Sequence, residues 1–130
     1  MKSTSYLIFL LFAFSCLKPV TQNNATITFT QTQHDFGTLQ QNQKAECNFS
    51  FSNPGKEPLL IQNVISSCGC TVPGWPKQPI KPGGKGKISI KYDTAYPEAF
   101  SKSITVYYNG KNSPVHLKIK GSVNYPKNRE

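Results

Sequence analysis

Acidic residues are scarce in this chain: 6 Asp and Glu stand against 15 Lys and Arg in 130 residues. The carboxylates present, Asp35, Asp93 and Glu98 among them, show no paired spacing, so a two-carboxylate acid–base site has no footing. No glycine-rich loop follows a strand in the pattern that cradles phosphate groups. Neither His34 nor His116 has a sequence neighbour that would make it a catalytic base. Helical periodicity is missing, and so are internal repeats. After the N-terminal run Leu7–Phe14, no apolar stretch approaches the roughly 20 residues that a membrane-spanning helix needs.

The N-terminus has the marks of an export signal. Lys2 supplies its positive charge, and Leu7–Phe14 falls within the range of about 7–15 residues typical of a signal's apolar segment. Ser15-Cys16 follows at once. A small residue before a cysteine at this place resembles a bacterial lipoprotein cleavage site, which makes 1–15 a signal peptide and Cys16 the acylated first residue. Ala13 and Phe14 depart from the usual pattern there. The alternative is an ordinary signal cut after Phe14 or Ser15, giving a secreted soluble protein with a free Cys16. Acylation gives a terminal cysteine a purpose that an exposed free thiol lacks in an export compartment. Residues 16–25 read as a polar tether, and the absence of acidic residues in Leu17-Lys18-Pro19-Val20 favours a periplasmic-facing anchor in the cell envelope.

Removing the signal leaves about 115 residues, the size of one domain with a single core. The signal takes only Lys2 from the formal charge of +9. Export makes nucleic acid an unexpected partner for that excess. It points instead to an envelope protein or an anionic surface polymer, with a solvated, solubilising surface as the plain alternative.

Short alternating segments fill the rest. Ile27 and Phe29 alternate with threonines, and Asp35-Phe36-Gly37 reads as a turn closing that first strand. Cys47, Phe49 and Phe51 alternate with polar residues, which puts Cys47 on the phenylalanine face; Asn53-Pro54-Gly55 ends the strand. Leu59–Ile65 is a strand whose alternation slips at Gln62-Asn63, the mark of a bulge. Ile88, Ile90 and Tyr92, then Ile104, Val106 and Tyr108, then Val115, Leu117 and Ile119 are three inward sets, and Asn109-Gly110 is a hairpin signal. The pattern predicts an all-β fold, an antiparallel β-sandwich of about seven strands over 26–124 with a frayed tail at 125–130. The loop Pro73–Gly86, with four prolines and four glycines, is expected to cross from one sheet to the other.

Cys68-Gly69-Cys70 is the constellation with the makings of chemistry. Gly69, lacking a Cβ, is expected to let the backbone fold tightly between the two thiols. With Cys16 acylated, Cys47, Cys68 and Cys70 remain in an oxidising compartment, and three thiols leave an odd one. Four arrangements are open. Cys47 bridges one of the pair and staples two strands; Cys68 and Cys70 bridge each other in a small, readily reduced ring; all three bind copper or zinc; or they pack as free thiols.

Five segments together resemble one bacterial envelope family. They are His34-Asp35-Phe36-Gly37-Thr38-Leu39, Phe49–Gly55, Ser67-Cys68-Gly69-Cys70-Thr71-Val72-Pro73, Trp75-Pro76 and Ile80-Lys81-Pro82-Gly83. The family is the one known as domain of unknown function 1573. The resemblance runs from about Phe29 to Val123 and implies an immunoglobulin-like sandwich related to PapD-like and major-sperm-protein-like domains. It implies no reaction. Where this chain has Cys47 the family pattern favours histidine, an exchange between two metal-ligand types that fits a site shared with Cys68 and Cys70.

The function expected is non-enzymatic, without a cofactor: a lipid-anchored binding or scaffolding domain. Thr71–Pro79 forms the contact surface over a base held by the cysteines. Trp75 between Pro73 and Pro76 is a candidate aromatic platform, with a Trp folded back onto the sandwich end as the alternative. Lys87, Lys91, Lys118 and Lys120 would form one basic face if their strands adjoin. The competing expectation is an exported copper- or zinc-binding or thiol-redox protein using Cys47, Cys68 and Cys70.

Overall fold

Alternation of apolar β-branched and aromatic residues with Ser, Thr, Asn and Lys builds half-buried strands, because successive side chains point to opposite faces. The computed structural model describes residues 24–127 and contains eight strands. They are β1 (Thr28–Phe29), β2 (Gln33–Gln40), β3 (Ala45–Ser52), β4 (Ile61–Ser66), β5 (Thr71–Gly74), β6 (Lys85–Tyr92), β7 (Ala99–Tyr108) and β8 (Val115–Asn124). Among the described residues no helix is long and apolar enough to cross a membrane. Cys16, the proposed signal and most of the tether lie outside the described residues.

Two four-stranded sheets pack face to face, with orders β1-β3-β6-β5 and β2-β8-β7-β4. Phe49, Ile88 and Ile90 of the first sheet and Ile104, Val106, Leu117 and Ile119 of the second are fully buried between them. Each such side chain contributes about 1.5–3 kcal/mol by leaving water. Tyr92 of β6 stacks on Phe100 of β7, ring centroids 3.8 Å apart, and so ties the two sheets together.

The inward sets expected of β3, β6, β7 and β8 are all in place, apart from a half-buried Val115. The bulge at Gln62-Asn63 is present as a register shift between β4 and β7. Four features differ from expectation. Asp35-Phe36-Gly37 does not end a strand: β2 runs through it with a bulge, Gly37 taking a left-handed φ of 64° and giving its N–H to Asp35 Oδ1 at 2.8 Å. The β2–β8 pair is parallel, making the sandwich mixed. The β7–β8 connection is longer than a two-residue hairpin turn, because pairing begins only at Val106↔Val115. The loop after Gly74 does not change sheets either, since β5 and β6 are antiparallel neighbours. The chain crosses between sheets earlier, from β4 at the edge of one sheet to β5 at the edge of the other. That crossing holds Cys68 and Cys70.

Candidate functional site

The crossing turn is fixed by backbone bonds on both sides. Ser67 N–H reaches Ser103 O on β7 at 2.9 Å, and Ser103 N–H returns to Ser67 Oγ at 3.1 Å. Cys68 N–H bonds Ser66 Oγ at 3.3 Å. Asp93 N–H, just past β6, bonds Cys70 O at 2.8 Å, and Thr71 then enters β5 opposite Tyr92. Inside this frame Cys68 and Cys70 form a disulfide, with Cα atoms 5.3 Å apart and both residues half-buried. Gly69 is exposed, its φ lies outside the left-handed region, and a Cβ placed on it would meet nothing within 4 Å. The tight backbone expected of Gly69 is therefore not a steric demand.

Cys47 is elsewhere. It sits on β3 opposite Ile90 of β6, whose other neighbour is Pro73 of β5. Two strand spacings and three residues of chain separate it from Cys70, about 10 Å across the sheet and about 10 Å along it. A disulfide needs Cα atoms within about 7 Å, so the expected staple from Cys47 to Cys68 or Cys70 does not form. The three-sulfur copper or zinc cage fails for the same reason, and among the described residues no group of three His, Cys, Asp or Glu side chains converges. Alternation along β3 predicts the face of Cys47 correctly, but its lateral neighbours depend on strand order. Burial pushes the Cys47 thiol up to about 11, which keeps it protonated and unreactive at neutral pH.

The other candidates are dispersed. Trp75 is half-buried against the core, with Lys77 Nζ 3.0 Å from its ring centroid, so one face of the indole already carries a cation. Pro73 and Pro76 flank it, both half-buried. Lys87 and Lys91 stand on the outer face of the first sheet, whereas Lys118 and Lys120 stand on the outer face of the second. The single basic face is thus corrected: β6 and β8 belong to different sheets, and the two lysine pairs point away from each other. Lys91 lies 3.8 Å from Glu46 and Lys120 3.5 Å from Asp35, exposed pairs worth little. Gly37 N–H, then Lys120, hold the Asp35 carboxyl below its ordinary value. His34 packs edge-on against Phe36, and His116 Nδ1 is 3.2 Å from Thr105 Oγ1. A separate open cleft of about 420 Å³, bordered by Thr30, Ser50 and Lys85, lies towards the β1 edge of the first sheet, away from the cysteines.

Three residues gain importance only in the structure. Thr71 is 3% exposed, and its Oγ1 lies 3.6 Å from Cys68 Sγ. Lys102 is half-buried on the core-facing side of β7, between Phe100 and Ile104. The β4–β7 pairing ends at Ser66↔Ile104, and Ser67, next to Cys68, still bonds Ser103 of β7, so Lys102, the neighbour of Ser103, lies on β7 beside the turn. Asn53 is fully buried; its amide donates to Glu57 O at 2.7 Å and Ile80 O at 3.0 Å while its Oδ1 accepts from Gly55 N–H at 3.1 Å. A polar residue before Pro-Gly at a strand end was the available signal for Asn53. A lysine breaking the apolar side of β7 was the signal for Lys102.

Comparison with known proteins agrees with this architecture. A Porphyromonas gingivalis W83 protein of unknown function superposes with a TM-score of 0.68 at 19% identity, covering 85% of this chain and 51% of that one. The present chain therefore spans about half of that protein's length. The seventh PapD-like (ASH) domain of human CEP192 also gives 0.68, at 12% identity, over 98% of this chain and 99% of that one. The CsuC–CsuE chaperone–adhesin pre-assembly complex of Acinetobacter baumannii gives 0.52 at 15% identity, over 77% of this chain and 58% of that one. At such identities the likeness establishes the fold alone. No curated protein matches the sequence. The sequence pattern described as "Protein of unknown function (DUF1573)" matches residues 27–123, nearly every residue of the sandwich, and the chain belongs to that family.

Proposed function

We propose that this PapD-like sandwich is a non-enzymatic binding or scaffolding domain of the bacterial cell envelope, contacting its partner along β5 and the loop that follows, Thr71–Pro79. The observation that carries this is the place of β5. It is the edge strand of its sheet, four residues long, with Val72 60% exposed beside the disulfide turn. An edge strand offers unpaired backbone N–H and C=O groups to an incoming chain, and exposed apolar side chains next to it add contact area. The partner class is an envelope protein. An anionic surface polymer would use the exposed lysine faces instead. Cys16, acylated, would hold the domain at the membrane, with the periplasm as its compartment.

A photo-crosslinking residue placed at Val72 in cells tests the surface against the same residue placed at Lys118 on the opposite face. The expected result is one discrete protein adduct from position 72 and none from 118. Adducts from 118 alone would reject this surface. Cys16→Ser should move the protein from the membrane fraction to the soluble fraction; unchanged fractionation would reject the anchor.

A further inference from the structure

Going beyond the binding role and not resting on it, we infer that the Cys68–Cys70 bond is a thiol–disulfide exchange site for a dithiol protein, with Cys68 the sulfur released as a thiolate. The bond does little to hold the fold. It closes a ring across one intervening residue, where the loop-entropy effect is smallest, and the turn is already fixed by the Ser67–Ser103 and Cys70–Asp93 backbone bonds. It is also approachable. Both cysteines are half-buried, not enclosed, and the space around Gly69 is open.

The two sulfurs have different surroundings. Cys70 leans on the hydrophobic core. Cys68 has the buried Thr71 hydroxyl 3.6 Å away, and no other side-chain or backbone partner of that hydroxyl is present among the described residues. A disulfide sulfur is a feeble acceptor for it; a thiolate is a strong one. Lys102 is the neighbour on β7 of Ser103, which bonds Ser67 beside Cys68, so its long side chain starts next to the turn, and an ammonium brought near a thiolate lowers the cost of forming it. The other titratable groups beside the turn are Lys91, opposite Val72 with its side chain on the outer face, Tyr92, opposite Thr71, and Asp93. Tyr92 is neutral, its O–H directed to Glu98 Oε1, and the Asp93 carboxylate, which accepts from Ala95 N–H, belongs to the residue whose N–H holds Cys70 O, so it disfavours charge at Cys70. Charge at Cys68 is thus favoured and charge at Cys70 is not.

The exchange follows from this asymmetry. A thiolate of the dithiol partner attacks Cys70 Sγ, the Cys68–Cys70 bond breaks, and Cys68 leaves with the electron pair. The partner's second thiolate then attacks its own sulfur in the mixed disulfide and expels Cys70. The partner ends as a disulfide, oxidised by two electrons, and Cys68 and Cys70 end as the reduced pair, taking up protons according to their pKa values.

The test uses the full chain. Partial reduction by glutathione, quenched with iodoacetamide and mapped by peptide mass spectrometry, should give glutathione on Cys70 and alkylation on Cys68. The opposite placement overturns the assignment. In the Cys70→Ser variant, alkylation of Cys68 should titrate at least about one unit below the ordinary thiol value of about 8.5. Lys102→Gln should return that midpoint towards the ordinary value and shift the wild-type cysteine pair's equilibrium with dithiothreitol severalfold towards the disulfide. Lys102→Arg should restore both, and Thr71→Ser should keep the hydroxyl's effect where Thr71→Val loses it. An ordinary Cys68 titration, unmoved by Lys102→Gln, would overturn the proposal. Cys47, buried in the folded protein, should stay unlabelled throughout and so reports that each variant is folded.

Discussion

Cys47 and the Cys68–Cys70 pair carry the same side chain in opposite settings. Cys47 sits in the middle of β3, flanked across the sheet by Ile90 and covered by the sandwich core. Burial alone sets its chemistry and pushes its thiol up to about 11. Cys68 and Cys70 occupy the crossing between two edge strands, with a hydroxyl near one sulfur and open space over the glycine between them. The difference teaches that in this fold a cysteine's role follows from its position in the sandwich. The centre of a sheet silences a thiol, and the turn that crosses between sheets leaves a bridged pair half-buried.

The sharpest way to break this contrast is to damage the silent region. Ile90→Ala opens a cavity beside Cys47 and should cost about 2–5 kcal/mol in denaturant unfolding, while raising the rate at which Cys47 is alkylated in the native protein. Asn53→Ala removes three buried hydrogen bonds and should cost roughly 1–3 kcal/mol by the same measurement. Reducing Cys68–Cys70 should cost at most about 1–2 kcal/mol, since the ring it closes is so short; a cooperative loss of the fold on reduction would show the turn to be structural. Gly69→Ala should fall within about 0.5 kcal/mol of the parent in thermal unfolding, because the added methyl meets no neighbour.

Alkaline titration sharpens the same comparison. Burial raises Cys47 to about 11, and burial followed by the nearby Glu98 carboxylate raises Tyr92 to about 12. Both groups stay protonated in the folded state at a pH where the unfolded chain ionises. Their stabilising contribution is therefore whole below the ordinary thiol and phenol values and is lost as pH climbs towards 11 and 12. Denaturant midpoints measured across that range should fall, and Cys47→Val should lessen the fall at its lower end.

Much of the architecture was legible in the sequence because a period of two is a local property. The inward faces of β3, β6, β7 and β8 and the slip at Gln62-Asn63 could be counted along the chain. Lateral order could not. Nothing in residues 33–40 and 115–124 says that β2 and β8 run parallel, and proline and glycine content placed the sheet crossing in the loop after Gly74 when it occurs at Ser67–Cys70. The cysteine site was legible in the same half-measure: Cys68 and Cys70 drew attention by their spacing, and the Thr71 hydroxyl is only three residues from Cys68, whereas the distance of Cys47 and the nearness of Lys102 to the turn depend on which strands lie side by side. The lysines failed together for that reason, Lys87 and Lys91 on one face and Lys118 and Lys120 on the other.

Non-reducing peptide mapping of the native full chain, with free thiols blocked only after denaturation, tests the separation of the two regions most directly. The expected result is a Cys68–Cys70 disulfide and a Cys47 recovered as a free thiol. A bridge from Cys47 to either member of the pair would contradict it.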